Sequence, residues 1–329
     1  MLTESSLRMP HPQDSADRNR HTGHVPRVLQ ALRAQRVPGW HLPAHLLELT
    51  YDRVEADGAS VRMPVGPHCL DRQGGVHRAA VMVLADVAMA GALRGRFGAV
   101  ARLATVNARL DFALKGPSQS LQAVANCRLE ISGGAVPLGV CAVQILCGAD
   151  VVGSGEATFV VLDNRRATAT HPLPSSSTLH GIAPLGIDEL TPEESAVLAL
   201  ACAAEAHRQP PCSFLEAFWG LLPTAGDGWA ECTFMPGMQV ANRVGDVQGG
   251  ILLALASETG VAALPAQWRL VDVSARYLAA GTAGQVLRAR AEVVKQGRQI
   301  AFVDCRVVDP SGGVVLRADL TLVRDGERT

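Results

Sequence analysis

Asp86 stands in the run VMVLADVAMAG, with Met82 and Val83 before it and Met89 and Ala90 after it at helical spacing, so its carboxylate projects from an apolar helix face. An ionised group there is costly unless paired or wet. Carboxylates in such places gather at functional sites as bases or nucleophiles, the alternative being a hydrogen-bonded structural Asp. Gly249 and Gly250 open a second apolar run, ILLALASETGVAAL. A helix starting there presents unpaired N–H groups and the positive end of its dipole, and glycine lets a carbonyl oxygen come close; a tight loop would also use Gly-Gly. Upstream, Asn242 either hydrogen-bonds a substrate oxygen or a water, or is a turn asparagine ahead of Gly245. A carboxylate and an electropositive helix start together suit attack on an acyl carbonyl.

These residues need a framework of some size. The chain has 329 residues, 48% of them hydrophobic and 19% charged, with a formal net charge of −1, which describes a globular chain with room for two cores. The near balance of charge offers no basic stripe for a phosphate backbone, so nucleic acid is excluded as an expected partner. Eight dispersed cysteines without a CxxC pair read as reduced core residues, and the histidines lack metal-ligand spacing. The N-terminus has no apolar signal-like core, and no stretch is long and apolar enough to span a bilayer. A cytoplasmic protein without a membrane partner is expected.

Residues 1–25 are polar and read as a disordered tail. A short amphipathic helix carries Val28, Leu29 and Leu32. HLLELTYDRV and ASVRMPV then read as strands around an Asp57-Gly58 turn. A helix from about His77 to Leu93 and four strand-like runs complete a unit over 26–162, and 163–190, rich in Pro, Ser and Thr, reads as a linker. Thr191-Pro192-Glu193-Glu194 signals a helix start, with the helix running to about His207. SFLEAFWGLLPT and GWAECTFMPG read as strands, and the loop, helix and strands recur through 191–329. Asp71, Gly74 and His77 repeat as Asn242, Gly245 and Gln248, each 171 residues on, and Phe112 matches Tyr277.

A helix preceded by a Gly-Gly loop and wrapped by an antiparallel sheet resembles the hotdog fold. The loop resembles that of hotdog acyl-CoA thioesterases of the phenylacetyl-CoA and 4-hydroxybenzoyl-CoA type, which read about N-x-x-G-x-x-H-G-G with an acid nine residues beyond the His. Here Asn242 to Gly250 keeps every motif position except the His, replaced by Gln248. Asp71 to Ala79 keeps His77 but not the Asn or the glycine pair. Nine beyond His77 stands Asp86; nine beyond Gln248 stands Ser257, then Glu258.

The resemblance implies an α+β fold of two tandem hotdog domains and thioester hydrolysis at a composite site. Asp86 would be base or nucleophile, and Asn242, Gly249 and Gly250 would serve the carbonyl. Gln248 and His77 would lie at the substrate, His77 capping its helix rather than acting as acid or base. Glu258 with the Arg78-Ala79 loop would supply a second acid. The implied partner is an acyl-CoA substrate with no cofactor, its phosphates having Lys115, Arg243 and Arg276 available. Met82, Met89, Phe218 and Trp219 would line a tunnel or fill the cores. Pairing of two chains into a homodimer is a further expectation. A hotdog hydratase or dehydratase and a non-catalytic acyl-CoA-binding module are the competing readings, the former weakened because Asp71 precedes His77 by six residues rather than five.

Overall fold

The computed structural model describes residues 23–113, 119–134, 136–162, 179–206 and 212–325. Most of the expected tail, residues 1–22, most of the linker, 163–178, and Lys115 lie outside them.

Helix α1 (His24–Gln35) buries Val28, Ala31 and Leu32 on one face, so the chain is already helical where the tail reading ended. Helix α2 (Leu42–Leu46) is capped by His41, whose Nδ1 accepts the Ala44 N–H at 3.1 Å. The first part of HLLELTYDRV is therefore helix, not strand, because this cap and Pro43 in the first turn favour a helical start. Strands β1 (Thr50–Glu55) and β2 (Gly58–Pro64) follow, turning at Ala56-Asp57, one residue before the expected position. Gly58 belongs to the strand, where a Cβ would stand 2.4 Å from the Ala125 carbonyl oxygen.

Helix α3 (Arg78–Phe97) is buried almost all round from Ala79 to Leu93 and runs one turn past its expected end. Strands β3 (Arg102–Phe112), β4 (Ser120–Ile131), β5 (Leu138–Cys147) and β6 (Asp150–Leu162) complete the first unit. Residues 179–190 lie along α1, where Gln30 donates to the Ile182 carbonyl. Helix α4 (Pro192–Ala206) starts at the expected capping box, Thr191 and Glu194 each bonding the other's backbone N–H.

The expected strand SFLEAFWGLLPT is instead helix α5 (Phe214–Trp219). Ser213 and Glu216 form a second capping box, and only β7 (Thr224–Ala225) remains extended before β8 (Trp229–Phe234). Helix α6 (Gly249–Ala262) and strands β9 (Trp268–Tyr277), β10 (Leu287–Gln296), β11 (Ile300–Val308) and β12 (Val314–Arg324) finish the chain.

The strands form one antiparallel sheet in the order β1-β2-β4-β5-β6-β3-β9-β12-β11-β10-β8-β7. Read from either end, the order within each half is the same, and the halves join where Asn107 to Asp111 of β3 pairs with Arg276 to Asp272 of β9. Each half wraps one apolar helix, the hotdog arrangement, and α3 and α6 cross in the shared interior. The crossing is close at Gly250, where a Cβ would fall 2.5 Å from the Met82 carbonyl oxygen. The helical arms are exchanged: α2 packs on the Met238–Val240 turn of the second unit, and α5 on the Pro67–Cys69 turn of the first. Among the described residues no helix is long and apolar enough to cross a membrane.

Candidate active site

Asp86 sits midway along α3, and the start of α6 from the other unit comes directly against it. Gln248 caps α6: its Oε1 accepts the Ile251 N–H at 2.9 Å, which turns its amide nitrogen toward Asp86, Nε2 to Oδ2 at 2.6 Å. The other carboxylate oxygen accepts from the Thr105 hydroxyl at 3.3 Å. A register shift between Thr105 and Asn107 in the β3–β6 pairing marks a bulge beside that threonine, as bulges commonly do next to functional groups. Burial pushes the Asp86 pKa up to about 6, against the lowering effects of the Thr105 hydrogen bond and the Arg94 charge.

Gly249 is the first residue of α6. A Cβ there would stand 2.9 Å from Asp86 Oδ1 and 3.1 Å from Thr105 Oγ1, so glycine leaves open the space in front of the carboxylate. Ile251 and Leu252 donate to the Gln248 carbonyl, leaving the Gly249 and Gly250 N–H groups as the helix-start donors without helical partners. The Tyr277 hydroxyl donates to the Gly249 carbonyl at 2.9 Å, and burial together with Asp86 keeps this phenol protonated.

The other sequence candidates separate by their contacts. Gly250 packs on the α3 backbone at Met82 and Val83, so the helix crossing itself requires glycine there. Asn242 Oδ1 accepts the Val244 and Asp246 N–H groups at 2.9 and 3.1 Å, and Asp71 Oδ1 accepts those of Gln73 and Gly75 at 2.9 and 2.8 Å. The two loops are the same turn, with Gly74 and Gly245 left-handed at φ 80° and 87°. Of the two readings of Asn242, its hydrogen bonds match the turn. Asp71 Oδ1 is equally occupied within its own turn. Met82, Met89, Phe218 and Trp219 are buried in the core, not along the cleft.

At the equivalent junction of the other pair of halves the groups neutralise one another. His77 caps α3 through Nδ1, which accepts the Ala79 N–H at 3.1 Å, as the sequence reading expected, and its Nε2 lies 3.6 Å from Glu216. This places it away from the Asp86 cleft, contrary to a substrate-binding role there. Arg78 occupies the position of Gly249 and fills the space with a two-pronged ion pair to Glu258, at 2.7 and 3.0 Å. Arg72 pairs with Glu216 at 3.1 and 3.2 Å. Burial raises the Glu216 pKa, yet bonds from His77, the Ser213 N–H and Arg72 hold it down at about 2. Ser257, in the position matching Asp86, is fully buried. His77, Glu216 and Glu258 converge closely enough to suggest a cation site, but Arg72 and Arg78 already take both carboxylates. Both carboxylate oxygens of Glu258 are thus taken by Arg78.

A cleft of about 810 Å³ opens at Asp86 and continues along α3 past Val87 and Ala90 to Arg94, between β3 and β6 and the 242–249 loop. Trp40 and His41, ahead of α2, and Tyr51 of β1 also line it. Sequence reasoning missed Thr105, Arg94, Glu216 and these three residues. The Ser213 to Glu216 capping spacing was the available signal for Glu216; the others become neighbours only through the fold.

A family profile described as the thioesterase superfamily matches residues 245–316. Among solved structures, a Lactobacillus plantarum protein described as an oleoyl thioesterase superposes with a TM-score of 0.51 at 12% identity, over 82% of this chain and 96% of that one. A hypothetical thioesterase protein of Streptococcus pneumoniae with coenzyme A aligns at 26% identity over 32% of this chain and 85% of its own, with a TM-score of 0.31. No curated protein matches the chain.

Proposed function

We propose, on the premise that this chain is a thioester hydrolase of the thioesterase superfamily, that it hydrolyses acyl-CoA at one composite site, formed by Asp86 of the first unit and the start of α6 of the second. The observation that carries the reading is the meeting of Asp86 with Gln248 and Gly249 across the units, at the mouth of a cleft.

Each group has a task that follows from its place. The thioester carbonyl oxygen would lie at the free N–H groups of the α6 start, where the helix dipole stabilises developing negative charge. Asp86, with a pKa of about 6, is mostly ionised at neutral pH and remains basic enough to take a proton from water or to attack the carbonyl itself. Gln248 and Thr105 orient the carboxylate, and Tyr277 fixes the first turn of α6 through the Gly249 carbonyl. The departing thiol has a pKa of roughly 8.5, so it leaves as thiolate with little protonation. No bound cofactor enters this scheme.

The CoA part of the proposal rests on the resemblance of the 242–250 loop to the acyl-CoA branch. The test is release of free thiol from acyl-CoAs by the wild type and by Asp86→Asn. Loss of turnover in the folded variant supports the assignment, and retained turnover removes it.

A further inference from the structure

The two units carry an arginine at the same loop position, and the comparison between them is informative. Arg72 follows Asp71, and Arg243 follows Asn242, in turns of the same geometry. On the closed side, Arg72 is neutralised by Glu216, the third residue of α5. On the cleft side, α2 takes the place of α5, capped by His41 as α5 is capped by Ser213, and the residue matching Glu216 is Ala44. The carboxylate that would answer Arg243 is missing.

A second cation makes that absence sharper. Arg94 also lines the cleft, close enough to Arg243 for the two to repel. Among the described residues neither forms an ion pair with a carboxylate. Arg94 hydrogen-bonds Tyr51, whose own hydroxyl donates to the Val87 carbonyl at 3.1 Å, and the ring of His41, held neutral by burial, by His45 and by both arginines, lines the same cleft. Its Nδ1 is taken as the acceptor for Ala44, so the proton of the neutral ring resides on Nε2, as a donor. Two guanidiniums and an imidazole N–H along one half-enclosed cleft, with Asp246 the carboxylate besides Asp86 in its lining, form a cradle for an anion.

Resting on the thioesterase reading, we propose that this cradle binds a carboxylate at the far end of the acyl group, so that the substrate is the thioester of a short dicarboxylic acid. Arg94 lies eight residues beyond Asp86 on α3, about 12 Å along the axis, and its side chain leans back toward the helix start and hence toward Asp86. Val87 and Ala90 supply an apolar lane between them for methylenes. The phosphates of CoA lie at the end of a pantetheine arm that is longer than this interval when extended.

The test measures thiol release from succinyl-, glutaryl- and adipyl-CoA against butyryl-, valeryl- and hexanoyl-CoA, then from the same acyl groups on phosphate-free pantetheine, with the wild type, Arg94→Gln and Arg243→Gln. The expected result is a preference in kcat/KM for the carboxylated series of roughly tenfold or more, the scale of one charge-assisted contact. The preference persists on pantetheine and collapses toward one in both variants. Equal rates for the two series overturn the proposal, as does an arginine effect that is the same for both series on CoA and vanishes on pantetheine, which would assign the cradle to phosphate. Should no thioester be cleaved, the hydrolytic reading fails separately, and calorimetry with free adipate and hexanoate decides the cradle. Adipate binding lost in either variant supports it; no adipate binding, or equal binding of both acids, overturns it.

Discussion

Gln248 and Asp86 belong to different halves of the chain, yet the Gln248 amide nitrogen stands 2.6 Å from the Asp86 carboxylate while its oxygen caps α6. One side chain therefore fixes both the helix start that would receive the carbonyl and the carboxylate that would attack beside it. A helix cap and a catalytic contact become the same hydrogen-bonding unit, so disturbing either should disturb both.

Replacing Gln248 by Leu keeps most of the volume and removes the donor to Asp86 and the acceptor for Ile251. Losing the donor disfavours the ionised carboxylate, so the acid limb of the kcat/KM profile, expected near the Asp86 pKa of about 6, should move to higher pH. Losing the cap should cost about 1 kcal/mol in denaturant unfolding. An unmoved acid limb would show that Asp86 does not govern it.

Asp86 should also oppose folding. Its folded-state pKa is raised, so between its ordinary value near 3.8 and about 6 the folded state holds the proton more firmly than the unfolded one. Stability contributed at this position is greatest at low pH and declines as pH rises through that window. Asp86→Asn is then expected to stabilise the protein at pH 7 by up to about 3 kcal/mol while losing turnover. Urea unfolding of both proteins at pH 4.5 and pH 7 checks this: the gap between them should widen at the higher pH.

The adjacent glycines should fail differently. Gly249→Ala places a methyl against Asp86 and Thr105, so turnover should fall sharply with little change in stability. Gly250→Ala drives a methyl into the Met82 backbone at the helix crossing and should cost about 1–3 kcal/mol by overpacking. Parallel activity and unfolding measurements separate the two, and identical phenotypes would argue against the division.

The closed junction is expected to act in stability. Glu258→Gln leaves the half-buried Arg78 guanidinium without its charge partner and should destabilise by about 1–3 kcal/mol, whereas the double change Arg78→Met with Glu258→Leu should be milder. Thermal unfolding of the single and double variants measures the coupling; a double variant as unstable as the sum of the singles would contradict it.

The residues legible in the sequence were those whose type alone carries information. Asp86 on an apolar helix face and a Gly-Gly helix start announce themselves, and the 171-residue offset exposes the matching loops. What sequence could not show is which atoms meet across the units. Gly249 and Gly250 look alike in sequence, but one faces a carboxylate and the other a helix backbone. Asn242 suggested substrate contact because its use in the turn depends on two backbone N–H groups brought round by the left-handed Gly245. The segment SFLEAFWG was misread as a strand because a short apolar run does not distinguish the two, and its Ser213–Glu216 cap decides for helix. Arg243 read as one of several basic residues available to phosphates and Arg94 was not singled out, until the fold placed the two in one cleft with neither in an ion pair among the described residues.

The most direct test of a single composite site is thiol release from a panel of acyl-CoAs by wild type, Asp86→Asn and Glu258→Gln, each first shown to be folded. The account predicts turnover by the wild type and by folded Glu258→Gln, and none by Asp86→Asn. Turnover surviving in Asp86→Asn but lost in folded Glu258→Gln would place the chemistry at the other junction and contradict it.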